Sequence, residues 1–314
     1  TVSALTITTL TATNDATVNG LTVGKGANSV TNNTALGVDA LDSGSLSGTN
    51  NVGIGYQALI SNTTGGTNIA IGATAMYNNT SGGQNTAVGR GALESNTTAS
   101  SNVGFGYQSL YLNTTGATNT AIGTQALRAN TTASNNVAVG YQALFDNTIG
   151  VGNTAIGAIA LWNSTTASSN TAVGSFTLID NTTGSNNTAV GGQALNNNTT
   201  ASSNVAVGYQ SLYLNTTASN NTAVGYQSLH LNTTGEYNTG LGRQALYYNN
   251  ADNNVGVGYA ALFDNTTGAN NVAIGNSALE NNTTTSNNTA VGYQAAYSNT
   301  ANSNTAVGYQ ALYD

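Results

Sequence analysis

The sequence predicts an all-β fold, a parallel β-solenoid of about seventeen 17-residue coils. Three observations carry that expectation. First, the chain repeats itself: "NVAVGYQSLYLNTTASN" (204–220) is followed at once by "NTAVGYQSLHLNTTGEY" (221–237). Second, a glycine marks each unit from Gly37 to Gly308 at 17-residue steps, apart from one step of 18 and two of 16. Third, only 5% of residues are charged, against about 25% in ordinary globular chains. With no Pro and little charge the chain is not a disordered one either. Stacked copies of a unit too small to bury its own apolar residues make one continuous core.

Taken in order, residues 1–32 stand outside the repeat. "TVSALTITTLTATNDATVNGLTVG" alternates Thr with apolar residues and carries turn residues at Asn14 and Asp15. It is expected to be a strand-rich cap on the first coil, or a segment that intertwines with sister chains. A start at Thr1 without Met is expected of a processed product or a fragment. The repeat shaft occupies 33–314.

Within a unit, let the opening Asn be position 1. Position 2 is always Thr, Val or Ile; position 4 is a larger apolar residue; position 3 is only Ala or Gly; position 5 is only Gly. β-Branched residues at alternate places mark a strand with one buried face. Positions 2 and 4 are therefore expected to point into a narrow core. The small side chains at 3 and 5 imply that another backbone lies close by, or that Gly at 5 supplies the angles of a tight corner.

The second segment, positions 6–11, reads "YQALYL" or similar and is expected to be a short strand or a single helical turn. Position 9 is Leu except for Met76 and Ala296, so it belongs to the core. The expected core ladder includes Val139, Leu144, Val173, Leu178, Val207, Leu212, Val224 and Leu229. The third segment, "NTTGASN", has turn chemistry. Its Asn at position 12 is replaced only by Ser164 from Asn62 onward. Buried amides stacked coil upon coil can bond along the stack, so Asn181, Asn198, Asn215 and Asn232 are expected to form an Asn ladder.

The unit "NTAVGYQAL…NTTG" resembles repeats of phage tail-fibre and related virion structural proteins, notably those of phages infecting cyanobacteria. The entry segment "ATVNGLTVGKGANSVTNNTALG" (16–37) looks like the lead-in of those proteins. More distantly, "NSVTNNTALG" and "NNVAIG" resemble head repeats of trimeric autotransporter adhesins, although adhesin coils are shorter than seventeen residues. The resemblance covers about nine-tenths of the chain, 33–314. It implies a homotrimeric fibre on a virion tail or other extracellular appendage that serves host attachment. The small faces at positions 3 and 5 would suit close chain-to-chain packing in such a trimer.

No residue pattern points to an enzyme or to a cofactor. The single histidine, His230, sits at variable position 10 among aromatic residues, and nothing places a nucleophile beside it. Asp146, Asp180, Asp264 and Asp314 share position 11 but lie in scattered coils. Lys25 is the only lysine and follows no phosphate-loop pattern. Four basic residues in a chain of net charge −7 argue against a nucleic-acid partner. No apolar run reaches the roughly 20 residues that cross a bilayer, so membrane insertion is not expected. Asn-x-Thr sequons such as Asn62 and Asn96 recur because "NTT" is the turn.

The aromatic residues at positions 6 and 10 are the candidate contact surface. Tyr107, Tyr111, Tyr141, Phe145, Tyr209 and Tyr213 serve either as interface between sister chains or as contacts to a host surface glycan or receptor. The alternatives to a phage fibre are a bacterial surface adhesin or extracellular filament, and an ice-binding β-solenoid. The last draws on Thr at positions 13 and 14, but adjacent strand residues face opposite ways, and position 2 is expected to be buried.

Overall fold

The computed structural model describes residues 15–18 and 21–314; the residues expected to form strands before Asn14, and that turn's first residue, lie outside them. The chain is an all-β parallel β-solenoid of about 16 turns at 17-residue spacing. It divides into two compact units, Thr1–Ala117 and Thr118–Asp314.

The first unit opens on an antiparallel hairpin of β1 (Ala16–Val18) and β2 (Leu21–Gly24). β2 pairs antiparallel with β3 (Thr34–Gly37), the strand of the first coil. The Asp15 carboxylate accepts the backbone N–H groups of Lys25 and Gly26, both at 2.6 Å, and so ties the hairpin to the chain entering that coil. β4 (Val52–Ile54), β5 (Ile69–Ile71), β6 (Thr86–Val88) and β7 (Val103–Phe105) follow, each parallel to the one before. The second unit stacks twelve strands from β8 (Thr120–Ile122) to β19 (Thr305–Val307) in the same way.

Register is residue for residue: Thr188 pairs with Val205, Ala189 with Ala206, Val190 with Val207. The two 16-residue steps keep it, with Thr239 opposite Val255 and Thr289 opposite Thr305. A one-residue slip would turn every side chain to the wrong face, so the missing residue has been taken from the turn that precedes the next strand. That deletion has a local cost. In a full coil the position-1 amide donates to the position-15 carbonyl, as Asn221 Nδ2 does to the Gly235 oxygen at 2.9 Å. In the shortened coil Asn238 Nδ2 is buried without a partner.

The faces of the strand are the reverse of the expectation. Position 3 is the buried one: Ala138, Ala172, Ala206 and Ala223 are wholly inaccessible. Positions 2 and 4 face out. Val139, Val173 and Val207, expected in the core ladder, are only half-buried, and Val224 is 37% exposed. The physical reason is the thickness of the coil. A Cβ added at Gly53 would sit 3.1 Å from Leu41 Cγ, and one at Gly256 would sit 3.1 Å from Leu246 Cγ. The leucine of the preceding coil already reaches the inner face of the strand, so only a methyl group or a hydrogen fits there. Leu144, Leu178, Leu212 and Leu229 are fully buried.

Positions 6–11 form neither a strand nor a helical turn. They are a run of turns in which positions 7 and 9 both take left-handed backbone angles, as at Gln210 (φ 54°) and Leu212 (φ 51°). Reversing the backbone hand at alternate residues lets the chain bond along the stack in both directions. Gln227 N donates to the Tyr209 oxygen of the coil before (3.0 Å), while Leu229 N donates to the Ala245 oxygen of the coil after (3.0 Å). Left-handed angles cost about 1–2 kcal/mol for a residue with a side chain. The bonds and the burial of Leu are what hold them.

Position 5 satisfies both readings of its glycine at once. Gly55 has φ 127°, and a Cβ there would lie 2.7 Å from the carbonyl carbon of Gly72 in the next coil. The close neighbour is the following coil of the same chain.

Two amide ladders complete the core. At position 12, Asn198 donates to Asn181 Oδ1 (2.8 Å), Asn215 to Asn198 (2.9 Å) and Asn232 to Asn215 (3.3 Å). Each of these amides also closes its own turn, as Asn215 Nδ2 does on the Ala218 oxygen at 2.9 Å. At position 1 the side chain bonds to backbone: Asn204 Oδ1 accepts the Asn221 N–H at 2.9 Å. Both columns are fully buried through these coils, so nearly every buried polar atom is satisfied, as stability requires.

Candidate functional site

What the coils hide is repetitive, so any function lies on what they show. Three outward surfaces are distinct.

The first is the strand face. Its column at position 2 holds only Thr, Val and Ile, and its column at position 4 only Val, Ile, Leu and Phe. Ile69, Ile71, Phe105, Ile122, Ile156, Leu241 and Ile274 are each between 37% and 54% exposed. β-Branched side chains suit a pleated surface, and within each unit they stand in files because each strand pairs residue for residue with the next. No charge interrupts either column in either unit. Position 2 is Thr in ten of the seventeen strands, so the apolar part of this face is the file at position 4. A sign of it is legible in the sequence, the absence of any charged residue at position 2 or 4, which a buried face and a covered one share.

The second surface carries the aromatic columns. At position 6, Tyr107, Tyr141 and Tyr209 are 42%, 52% and 48% exposed; at position 10, Tyr111, Phe145 and Tyr213 are half-buried. The structure does not join these six into one cluster. It stacks each with the ring one coil away, where such a ring exists. Tyr209 stacks on Tyr226 at 5.7 Å, Phe145 on Trp162 at 5.9 Å, and Tyr213 on His230 at 5.3 Å. The Arg243 guanidinium lies 5.7 Å from both the Tyr226 and the Tyr259 rings, continuing the position-6 column as a cation–π link.

His230 is part of a ring stack. It lies between Tyr213 and Tyr247, 5.3 and 5.1 Å away, and its Nδ1 is 3.0 Å from the Gln210 carbonyl oxygen. Burial lowers its pKa below the ordinary 6.5, and the bond to the Gln210 oxygen opposes the shift. Burial likewise raises the carboxyl groups of Asp146 and Asp264, the nearby Arg128 charge opposing this at Asp146. Among the described residues no three His, Asp or Glu side chains gather to hold a metal, and no helix is long and apolar enough to cross a membrane.

The third surface is a glutamine file at position 7, where Gln210 bonds to Gln193 at 2.8 Å and Gln227 to Gln210 at 2.9 Å. Sequence reasoning missed this ladder and the one at position 1, although the constant Asn at position 1 and the Gln of ten units at position 7 were both visible.

Comparison of the chain with protein-family models, with curated proteins and with solved structures finds no match in any of the three.

Proposed function

We propose that this chain is the shaft of an adhesive fibre, a phage tail fibre or related virion appendage used in host attachment, assembled as a homotrimer. The observation that carries the proposal is the uncharged strand face at positions 2 and 4. Files of Val, Ile and Thr with constant register suit packing against the same files of a sister chain, sheet faces meeting about 10 Å apart. The attachment role rests on the resemblance of the repeat; a bacterial surface filament of the same build would differ in its gene neighbours. The interface so proposed differs from the sequence-based one, because the small residues of position 3 face inward and contact no sister chain.

Light scattering on the purified chain tests assembly. A trimer of the 31.4 kDa chain is expected, and Val207→Lys with Val224→Lys should release monomers that keep their fold. A wild-type chain that stays monomeric at about 100 μM, where even weak assemblies form, overturns the proposal.

One finding favours a second reading, ice binding. The outward turn of position 2 puts Thr on the outer sheet face beside Val, as in Thr188 with Val190 and Thr222 with Val224. The expected burial of position 2 was one of two considerations against ice binding, and the outward Thr removes that one. A monomer that depresses the freezing point below the melting point would carry this reading, and a chain without thermal hysteresis would end it.

A further inference from the structure

Rings stacked coil upon coil spend their faces on each other and show solvent their edges. An aromatic face is open only where a column is interrupted. In the first unit position 6 runs Tyr56, Ala73, Arg90, Tyr107, so two successive coils lack a ring. In the same two coils position 7 has lost its glutamine, to Thr74 and Gly91.

These substitutions open a groove with Tyr56 and Tyr107 at its ends and Ala73 and Thr74 in its wall. Three coil spacings separate the two tyrosines, about 14 Å at strand separation, which leaves space for one sugar-sized ring beside Arg90. The floor is built. Glu94 reaches across the coil because Gly91 has no side chain: a Cβ there would stand 3.1 Å from Glu94 Oε2. Thr74 Oγ1 donates to Glu94 Oε2 at 2.8 Å, and the Tyr111 hydroxyl donates to Oε1 at 3.2 Å. Each carboxylate oxygen is thus fixed by one donor and keeps acceptor capacity for another. Arg90, exposed at the same groove, carries donors only.

We propose that this groove binds one pyranose unit of a neutral saccharide. The open tyrosine face takes the C–H side of the ring, Glu94 accepts from its hydroxyls, and Arg90 donates to them. One carboxylate and one guanidinium balance, so neither an anionic nor a cationic sugar gains a net attraction. The groove deepens the adhesive reading by naming a ligand class, but its test does not depend on assembly.

Saturation-transfer NMR on the full chain tests it, using methyl glycosides of glucose, galactose and mannose, with N-acetylneuraminic acid and glucosamine as charged comparators. Transfer to the ring C–H protons of at least one neutral glycoside is expected, stronger than to either charged sugar. Tyr107→Ala and Glu94→Gln should each weaken it about tenfold or more, the loss of one aromatic or charged contact. Tyr226→Ala, whose ring lies between Tyr209 and the Arg243 guanidinium, should leave it unchanged.

Ala73→Tyr guards against simple misfolding. It restores the column, should keep the melting temperature, and should abolish transfer. Absence of transfer from every neutral glycoside, transfer that prefers a charged sugar, or transfer that survives Ala73→Tyr overturns the proposal. A monomer that binds the glycoside would overturn the trimeric shaft and leave the groove standing. A trimer that binds none would do the reverse.

Discussion

On the strand wall of a coil the inward side chain is an alanine methyl, and the large side chains face out. On the turn wall the large side chain, Leu at position 9, faces in and the outer positions vary freely. The two walls share one narrow interior, and its volume is divided unequally: Ala206 on one side, Leu212 on the other, both fully buried. The comparison teaches that residue size does not tell which side of a thin coil is inside. Apolar strands point inward where the core is deep enough to receive them. Here the opposing leucine fills it, and the strand turns its β-branched side chains to the surface.

The largest expected effect comes from emptying the turn wall. Leu212→Ala removes the one large buried side chain of its coil and should cost about 3–5 kcal/mol, the range for buried leucines that leave a cavity. Val207→Ala, in the neighbouring strand, should cost about 1 kcal/mol or less in the isolated chain, because a half-exposed Val loses only part of its burial. Chemical denaturation of the two variants measures both. Equal costs would erase the difference between the walls.

The reciprocal change overfills the strand wall. Ala206→Leu has no room, and should cost about 1–3 kcal/mol or more. Val207→Leu adds similar bulk on the outside and should be nearly neutral, as Leu241 at the same position shows. The order of the two melting temperatures checks this directly.

The unequal walls also explain what could be read from the chain alone. The solenoid, its 17-residue period and the parallel strands at positions 2–4 were legible, because strict columns arise only when copies lie in register. The position-12 ladder was legible for the same reason: an amide so constant has a fixed partner. Val139, Val173, Val207 and Val224 were misplaced because alternation fixes two faces and does not say which is inner. The turn wall was illegible because left-handed angles are normally announced by Gly or Asn, and here Gln227 and Leu229 adopt them under compulsion from the stack. The Tyr56–Tyr107 groove was visible only as a local loss of consensus, which gains meaning once columns are known to be ring stacks.

A smaller effect lies at a break in the position-12 ladder, where a serine replaces the amide. Ser164 is too short to continue it. Its hydroxyl and Asn147 Oδ1 are both buried without a partner, and Asn181 Nδ2 bonds only to its own turn, at the Gly184 oxygen. Ser164→Asn should donate to Asn147 and accept from Asn181, raising stability by about 1–2 kcal/mol for the restored bonds. Denaturation of that variant against wild type gives the sign. A loss would mean that local packing at residue 164 excludes the amide.

The smallest effect belongs to His230 on the turn wall, and its sign follows from burial. The folded chain holds the imidazole below its ordinary pKa of 6.5, so between the folded and unfolded values the unfolded chain binds more protons. Stability from this residue is therefore complete above pH 6.5 and declines as acid is added through the folded pKa. His230→Phe keeps a ring between Tyr213 and Tyr247 and cannot take up the proton. Its melting temperature should fall less than that of wild type between pH 7.5 and pH 5, while the carboxyl groups of Asp146 and Asp264 contribute equally to both proteins and cancel. If the two curves ran parallel, the histidine would have to be as well solvated in the stack as in the unfolded chain. The outer rings of the turn wall would then count as surface decoration, and the contrast with the buried leucine one residue before would be sharper still.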